Sequence, residues 1–267
     1  MPDDKSFIGS IPKIYESHLV PLIFEPYAVE LSRRAAATSP GQLLEIAAGT
    51  GVLTRALCRT LPASTSIVAT DLNPAMLEEA AAQGTSRPVE FRPADALALP
   101  FADQTFDMVV CQFGVMFFPD KQKGLAECHR VLRPGGELLF SVWDRIDTNE
   151  LADAVTAGLA SFFSDDPPRF LPRVPYGYFD RNIIAADLAS GGFSAPPRIE
   201  LVGARSRCRD PFDPAVGFCQ GSPLQGEIDA RGPLAQATDA AAAEIRKRFG
   251  SGPIDAGIQA LVVTVKR

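Results

Sequence analysis

The chain contains no uninterrupted apolar run approaching the ~18 residues of a membrane span, so no helical membrane anchor is expected. It has no basic excess either. Its 26 Lys and Arg face 32 Asp and Glu, a net charge of −6, which offers phosphate backbones and anionic lipid no overall attraction and makes duplex nucleic acid a poor partner. Paired cysteines are missing: Cys58, Cys111, Cys128, Cys208 and Cys219 form no CxxC spacing, and an odd, scattered set suits a reducing compartment. Histidine is scarce. His18 and His129 stand 111 residues apart, so no transition-metal ligand set is expected, although a carboxylate-bound Mg²⁺ stays open. The start Met1-Pro2-Asp3-Asp4-Lys5 lacks the basic opening and apolar core of a signal peptide, and the expected location is the cytoplasm. There is no repeat of fixed period and no low-complexity tract. What is present is an ordinary globular composition, 46% hydrophobic and 22% charged over 267 residues, enough to bury a full core.

Frequent proline and glycine mark the element boundaries. Gln42-Leu-Leu-Glu-Ile46 runs into Ala47-Ala-Gly-Thr-Gly51, after which Val52, Leu53, Ala56 and Leu57 recur at helical spacing until Pro62. A second apolar run, Ser66–Thr70, ends at Asp71; Asn73 and Pro74 then supply a cap and a first helical residue for a helix over 75–82. Strands are predicted at 89–92, 107–112 and 137–142, the last two separated by a helix near 119–131. This alternation implies a parallel sheet covered by helices. Helices at about 150–163 and 180–190 follow, the second capped by Asp180 and stopped by Gly191-Gly192. The tail offers strands at 199–202 and 260–265, with an alanine-rich helix at 231–249 that ends in basic residues.

The turn Glu45–Gly51 is built of small residues, which let a ligand approach the backbone, and glycine tolerates positive φ that costs other residues ~1–2 kcal/mol. A plain strand-to-helix connection would use the same residues. The dinucleotide pattern G-x-G-x-x-G fails: counted from Gly49 its third position falls on Thr54, and counted from Ala47 on Val52. A phosphate-binding loop fails as well, because no lysine follows these glycines. Asp71 ends the second strand 20 residues beyond Gly51, where a carboxylate can accept both hydroxyls of a ribose; the alternative is an acid drawn to a helix N-terminus. Asp95 follows the third strand, either as an acceptor for an adenine amino group or as a loop acid.

Five segments in order resemble the class I S-adenosylmethionine-dependent methyltransferases, in particular the branch of the ubiquinone/menaquinone biosynthesis methyltransferases. They are Leu43–Gly51, Ala69–Leu77, Pro93–Leu97, Phe106–Gly114 and Val131–Glu137, spread over residues 40–143. The resemblance implies an α/β, doubly wound, mostly parallel seven-stranded sheet with an antiparallel C-terminal hairpin, helices on both faces, and helical lid insertions. It implies S-adenosyl-L-methionine as cofactor and S-adenosyl-L-homocysteine as product. Glu45, Ala47, Gly49, Thr50 and Gly51 would hold the methionine part, and Asp71 the ribose. Leu72 and Met76 would face one side of the adenine, Asp95 and Ala96 its amino edge, and Gln112 and Phe113 the other flank. Ala47 departs from the family's commonest glycine by one methyl group.

The expected organisation is one domain in four parts: an N-terminal helical lid over 1–39, a cofactor-binding α/β core over 40–143, a helical insertion over 144–197, and a closing hairpin with a helical arm over 198–267. Within Ile14–Tyr27 an aromatic at Tyr15 resembles the family's lid residue, with an amphipathic helix packed on the sheet as the equal alternative; His18 is a candidate general base, though it stands at an unmatched position where a histidine without a catalytic role is the better reading. His129 reads as a core or surface histidine. After the fourth strand stands Gln112-Phe-Gly-Val115 rather than the Asp/Asn-Pro-Pro-aromatic motif of DNA-base and glutamine methyltransferases, which argues against nucleic-acid substrates. Phe162, Phe163, Phe170, Tyr176, Tyr178, Phe179, Phe212 and Phe218 fall in the parts expected to cover the acceptor, which suggests an apolar or aromatic small molecule; a core of their own is the competing reading. A nicotinamide oxidoreductase and a non-catalytic binding protein on the same scaffold remain alternatives. The sequence carries no signal for an oligomeric state.

Overall fold

The strand Leu43–Ile46 is buried throughout, Glu45 included, because both of its faces are covered, as parallel strands require. In the computed structural model, which describes Asp4 and residues 7–267, seven strands form one sheet: β1 Gln42–Ile46, β2 Ser66–Asp71, β3 Glu90–Pro93, β4 Phe106–Gln112, β5 Leu132–Trp143, β6 Arg198–Cys208 and β7 Ile254–Lys266. Their order is β3-β2-β1-β4-β5-β7-β6. β1 pairs parallel with β2 (Glu45 opposite Ala69) and with β4 (Glu45 opposite Val110); β2–β3 and β4–β5 are parallel too. The C-terminal hairpin is antiparallel, so the expected fold is borne out. The chain winds outward from β1 to β3, then crosses back to β4 and β5. That reversal leaves a crevice beyond the C-terminal ends of β1 and β4, the usual ligand position in such sheets.

The chain divides into two compact units. The first comprises Tyr27–Val142, Tyr178–Val202 and Ala260–Arg267. It holds the parallel strands and the helices Val52–Thr60, Pro74–Gln83, Lys121–Val131 and Arg181–Ser190, with most of Glu25–Thr38. Leu43, Leu44, Ile67, Met108, Val109, Leu138 and Phe140 are its buried centre.

The second comprises Met1–Pro26, Trp143–Gly177 and Gly203–Gln259. It is largely helical, with α-helices at Ile11–Ile14, Glu150–Phe162, Phe170–Arg173, Phe212–Gln220, Leu224–Asp229 and Leu234–Phe249, and a π-helical run at Tyr15–Phe24 that contains Pro21. The alanine-rich helix Leu234–Phe249 earns its alanines by close packing: a Cβ on Gly158 of the helix Glu150–Phe162 would meet Ala240 O and Ala241 Cα at 2.9 Å. Five rings run through this unit. Phe7 meets Tyr15 edge to face, Tyr15 stacks on Phe24 at 4.9 Å, and Phe24, Trp143 and Tyr176 follow at 5.9 and 5.7 Å.

Three strands exceed the lengths expected. β5 begins at Leu132 rather than 137, because Gly135 N–H donates to Arg267 O and Arg267 N–H to Gly136 O, recruiting a glycine-rich segment with no strand pattern of its own. β7 starts at Ile254, its first half alternating buried Ile254, Ala256 and Ile258 with more open residues. β6, the edge strand, reaches Cys208 and carries charge along its length, with Arg205 and Arg207 both paired to Asp255; charged edges resist further strand addition. The helix expected from 231 starts at Leu234, and Phe212–Gln220 and Leu224–Asp229 are helices that the sequence did not announce. Asn73 occupies the cap position but makes no side-chain cap bond. Its backbone N–H instead donates to Asp71 Oδ1 at 2.8 Å, so the capping role expected of Asn73 gives way to a turn organised by Asp71.

Candidate functional site

At the end of β1 the backbone turns through the left-handed region three times in five residues: φ is 53° at Ala47, 57° at Gly49 and 83° at Gly51. Glycine has no cost there, whereas Ala47 does. Phe113, at the end of β4, shares the anomaly with φ 53°. The two bends touch, since a Cβ on Gly114 would lie 2.5 Å from Ala47 Cβ and 2.7 Å from Cys111 Sγ. Non-glycine residues held at positive φ concentrate where a ligand needs a particular backbone shape, and these two flank the crevice at the sheet's reversal point.

Asp71 locks the turn from the neighbouring strand. Its Oδ2 accepts the Gly49 N–H at 2.9 Å and its Oδ1 the Asn73 N–H at 2.8 Å. With 7% of its surface exposed, burial raises its carboxyl above the ordinary range against the pull of backbone N–H groups of Asn73, Gly49 and Leu72. Glu45 is 1% exposed and accepts the Thr54 hydroxyl at 2.6 Å. Burial pushes its carboxyl up to about 8, opposed by Thr54 and reinforced by the charge of Asp71. Arg55 Nη1 donates to Thr50 O at 2.7 Å, which fixes the middle of the turn. The Thr50 hydroxyl is buried without a hydrogen-bond partner among the described residues, a group left over for a ligand to satisfy.

Further along the same edge, Leu72 is 48% exposed directly after Asp71, while Met76 is buried below it. Asp95 is exposed and accepts the Leu97 N–H at 2.9 Å through Oδ1, with Ala96 half-buried beside it. Gln112 ends β4 opposite Ser141 of β5. Phe113 turns its ring edge-on to Tyr27 at 5.2 Å and is buried, so its side chain belongs to the wall and its bent backbone faces the crevice bend. Thus Glu45, Ala47, Gly49, Thr50, Gly51, Asp71, Leu72, Met76, Asp95, Ala96, Gln112 and Phe113 all belong to the parallel-strand unit, at or just beyond strand ends. Sequence reasoning missed Thr54; its only trace is a hydroxyl on the buried face of the helix after the turn.

Two candidates belong to the helical unit. Tyr15 is stacked on Phe24, as described above. His18 pairs through Nδ1 with Asp213 Oδ1 at 2.6 Å, and Asp213 carried no sequence signal at all. His129 meets the edge of Phe193 at 5.1 Å, and burial with the Arg267 charge lowers its pKa. Of the eight aromatic residues singled out beforehand, Phe170, Tyr176, Tyr178 and Phe218 are buried in the units' own cores, Phe163 is half-buried, and Phe162, Phe179 and Phe212 are exposed. No cluster of three potential metal ligands occurs among the described residues, and no described helix is long and apolar enough to cross a membrane.

The family model described as a methyltransferase domain matches residues 44–140, the segment that holds these strand ends. Over 114 residues the chain is 43% identical to the ubiquinone/menaquinone biosynthesis C-methyltransferase of Marinomonas sp. (strain MWYL1), covering 41% of this chain and 45% of that protein. The chain spans about half the length of the curated relatives it matches. Two solved structures share the fold around the methyltransferase domain. Phosphoethanolamine N-methyltransferase 2 of Haemonchus contortus, solved with S-adenosyl-L-methionine, gives a TM-score of 0.58 at 16% identity, over 96% of this chain and 56% of that one. The 4+2 cyclase SpnF gives 0.57 at 18% identity, over 91% and 80%. The likeness to class I S-adenosylmethionine-dependent methyltransferases read from the sequence is borne out.

Proposed function

We propose that the chain transfers the methyl group of S-adenosyl-L-methionine to a small apolar or aromatic acceptor. The observation that supports this most directly is the buried Asp71 carboxylate at the sheet's reversal point, tied to the Gly49 N–H of a turn that three positive φ angles hold open. The cofactor supplies a methyl group already activated by its sulfonium charge, and its transfer leaves neutral S-adenosyl-L-homocysteine. The residues therefore need to grip and align rather than activate, and good alignment supplies about 7–11 kcal/mol.

In this reading Asp71 accepts the ribose hydroxyls, and the turn Glu45–Gly51, with the Thr50 hydroxyl, holds the methionine part. Leu72 and Met76 cover one adenine face, Asp95 and Ala96 meet its amino edge, and Gln112 and Phe113 form the other flank. The quinone substrates named for the relatives make hydroquinones and phenols the first acceptors to try. Five free cysteines, four of them buried, accord with a reducing cytoplasmic setting.

A labelled-methyl assay over a panel of hydroquinones, phenols and amines tests the proposal, with S-adenosyl-L-homocysteine and NAD titrated side by side. Homocysteine-form binding in the micromolar range, no NAD binding and label transfer to one acceptor class are expected. NAD binding in place of the adenosyl compound would overturn it. The cyclase among the structural neighbours motivates a second reading, a protein that binds the cofactor without transferring its methyl group; tight binding with no label transfer across the panel would favour it.

A further inference from the structure

Two buried hydroxyl groups of the parallel-strand unit have no hydrogen-bond partner among the described residues, Thr50 Oγ1 and Ser141 Oγ. The residues are 1% and 0% exposed, and a buried hydroxyl left without a partner calls for a ligand or an ordered water. Thr50 lies in the turn assigned to the methionine part. Ser141 does not: it stands near the C-terminal end of β5, a strand that supplies none of the residues assigned to the cofactor.

Strand register gives Ser141 its place. Glu45 lies opposite both Ala69 and Val110, and Gln112 lies opposite Ser141. Residues paired across parallel strands, and those two apart along one strand, share a face, so Asp71, Glu45, Gln112 and Ser141 project from one face at the end where the sheet reverses. At about 4.8 Å per strand, Ser141 is one spacing beyond Gln112 and about 14 Å across the sheet from Asp71. Its backbone is fixed there. Ser141 O accepts the Phe113 N–H at 3.1 Å and so braces the bend at φ 53°. On the same face of β5 the preceding side chain is Leu139, apolar and fully buried, which offers the hydroxyl nothing.

We infer that Ser141 is a specificity-determining residue: its hydroxyl takes the polar substituent of the methyl acceptor, an oxygen or nitrogen carried by an otherwise apolar molecule. The inference rests on the methyl-transfer reading, in which β1 to β4 hold the cofactor and β5 is the next strand outward. A serine hydroxyl both gives and accepts hydrogen bonds, so it suits a phenol, a ring carbonyl or an amine. It selects the acceptor without moving a proton.

The test compares the full chain with Ser141→Ala and Ser141→Cys. With no ligand added, Ser141→Ala should unfold in urea at the wild-type midpoint or above it, because the change deletes an unpaired buried hydroxyl and keeps the carbonyl that holds Phe113. Its affinity for S-adenosyl-L-homocysteine should stay within about twofold by calorimetry, since a bond to the acceptor is not made to the cofactor. With the best acceptor among the hydroquinones, phenols and amines, labelled-methyl transfer should show KM raised about 10-fold or more and kcat within about threefold, because the lost bond is made in the bound and the reacting state alike. Ser141→Cys keeps the size but bonds weakly, and should raise KM in the same way. A lower urea midpoint for Ser141→Ala would mean that the hydroxyl is already satisfied, by a water for instance, and would overturn the inference. So would an unchanged KM, or a cysteine variant that matches the wild type and traces the effect to volume. If the wild type neither binds the homocysteine compound nor transfers label, the methyl-transfer reading itself fails; wild-type transfer with an unmoved KM in Ser141→Ala removes the role of Ser141 alone.

Discussion

In the parallel-strand unit, the polar groups of the candidate site lie within a few residues of a strand end and bond to their near neighbours: Asp71 to Asn73 and Gly49, Glu45 to Thr54. In the helical unit, comparable groups come from remote parts of the chain. Asn149, fully buried, donates to Arg145 O and Gln259 O and accepts the Gln259 N–H; Glu227 accepts the N–H groups of Arg169 and Phe170; His18 finds Asp213. The acids differ as well. Burial raises the site acids Glu45 and Asp71, whereas away from the site basic partners hold Glu244 (Lys247, then Arg248) and Asp255 (Arg205, then Arg207) below the ordinary carboxylate range, as Arg130 holds Glu127 in the parallel-strand unit itself. The first arrangement presents a strained backbone and two uneasy acids to a ligand; the second mostly holds helices together.

If that contrast is right, substitutions at the strand ends should change cofactor affinity, and substitutions among the helical pins should change stability. The largest effect is expected from Gly49→Val. A branched side chain at φ 57° costs more than the ~1–2 kcal/mol of an ordinary left-handed residue and fills the approach to the backbone. Calorimetry should show S-adenosyl-L-homocysteine affinity down by at least about 10²-fold in a protein whose circular dichroism is unchanged. Asp71→Ala should lose charge-assisted bonds of ~1.5–3 kcal/mol, or roughly 10- to 100-fold in affinity. Undiminished binding by this variant would remove the ribose assignment.

Asn149→Ala tests the other side of the comparison. It removes the acceptor of the Gln259 N–H and one donor each from Arg145 O and Gln259 O, which keep the N–H groups of Thr148 and Asp144, with an expected loss of about 1–3 kcal/mol of stability in urea melts and no change in cofactor affinity. A large affinity loss here would break the division of labour. The acid pair gives a pH test. The folded-state pKa of Glu45 is raised from 4.5 to about 8, so across that window the native state keeps a proton that the unfolded chain releases. Stability therefore falls as pH rises, by at most about 1.4 kcal/mol per pH unit, and Glu45→Gln should flatten the decline. The smallest effect belongs to Ala47→Gly. Relief of the left-handed bend is partly offset by the entropy of glycine in the unfolded chain, for a net gain of no more than about 1 kcal/mol in the same melts.

The contrast also explains what could be read from the sequence. The turn at 45–51, Asp71 and Asp95 are local in the chain, because a parallel strand, its turn and its helix are consecutive, and the register then carries their spacing directly into space. The parallel pairing of the sheet followed from the same alternation. The early start of β5 was invisible because Gly135-Gly136, which pairs with Arg267, has no strand pattern of its own; the first half of β7 does alternate, through Ile254, Ala256 and Ile258, and was passed over. Asp213 was invisible for a similar reason: nothing near Phe212 in the sequence points to a histidine 195 residues earlier. The misassigned cap at Asn73 shows a finer limit, since the residue type was right for a cap and the competing Asp71 carboxylate captured its backbone instead.

The chain's single tryptophan, Trp143, sits buried between Phe24 and Tyr176 in the helical unit. Its fluorescence is thus an intrinsic reporter of that unit, emitting at the short wavelengths of a dry indole while the ring array is intact. Loosening of the helical unit would appear as a red shift, so optical titrations can follow its opening without any attached dye.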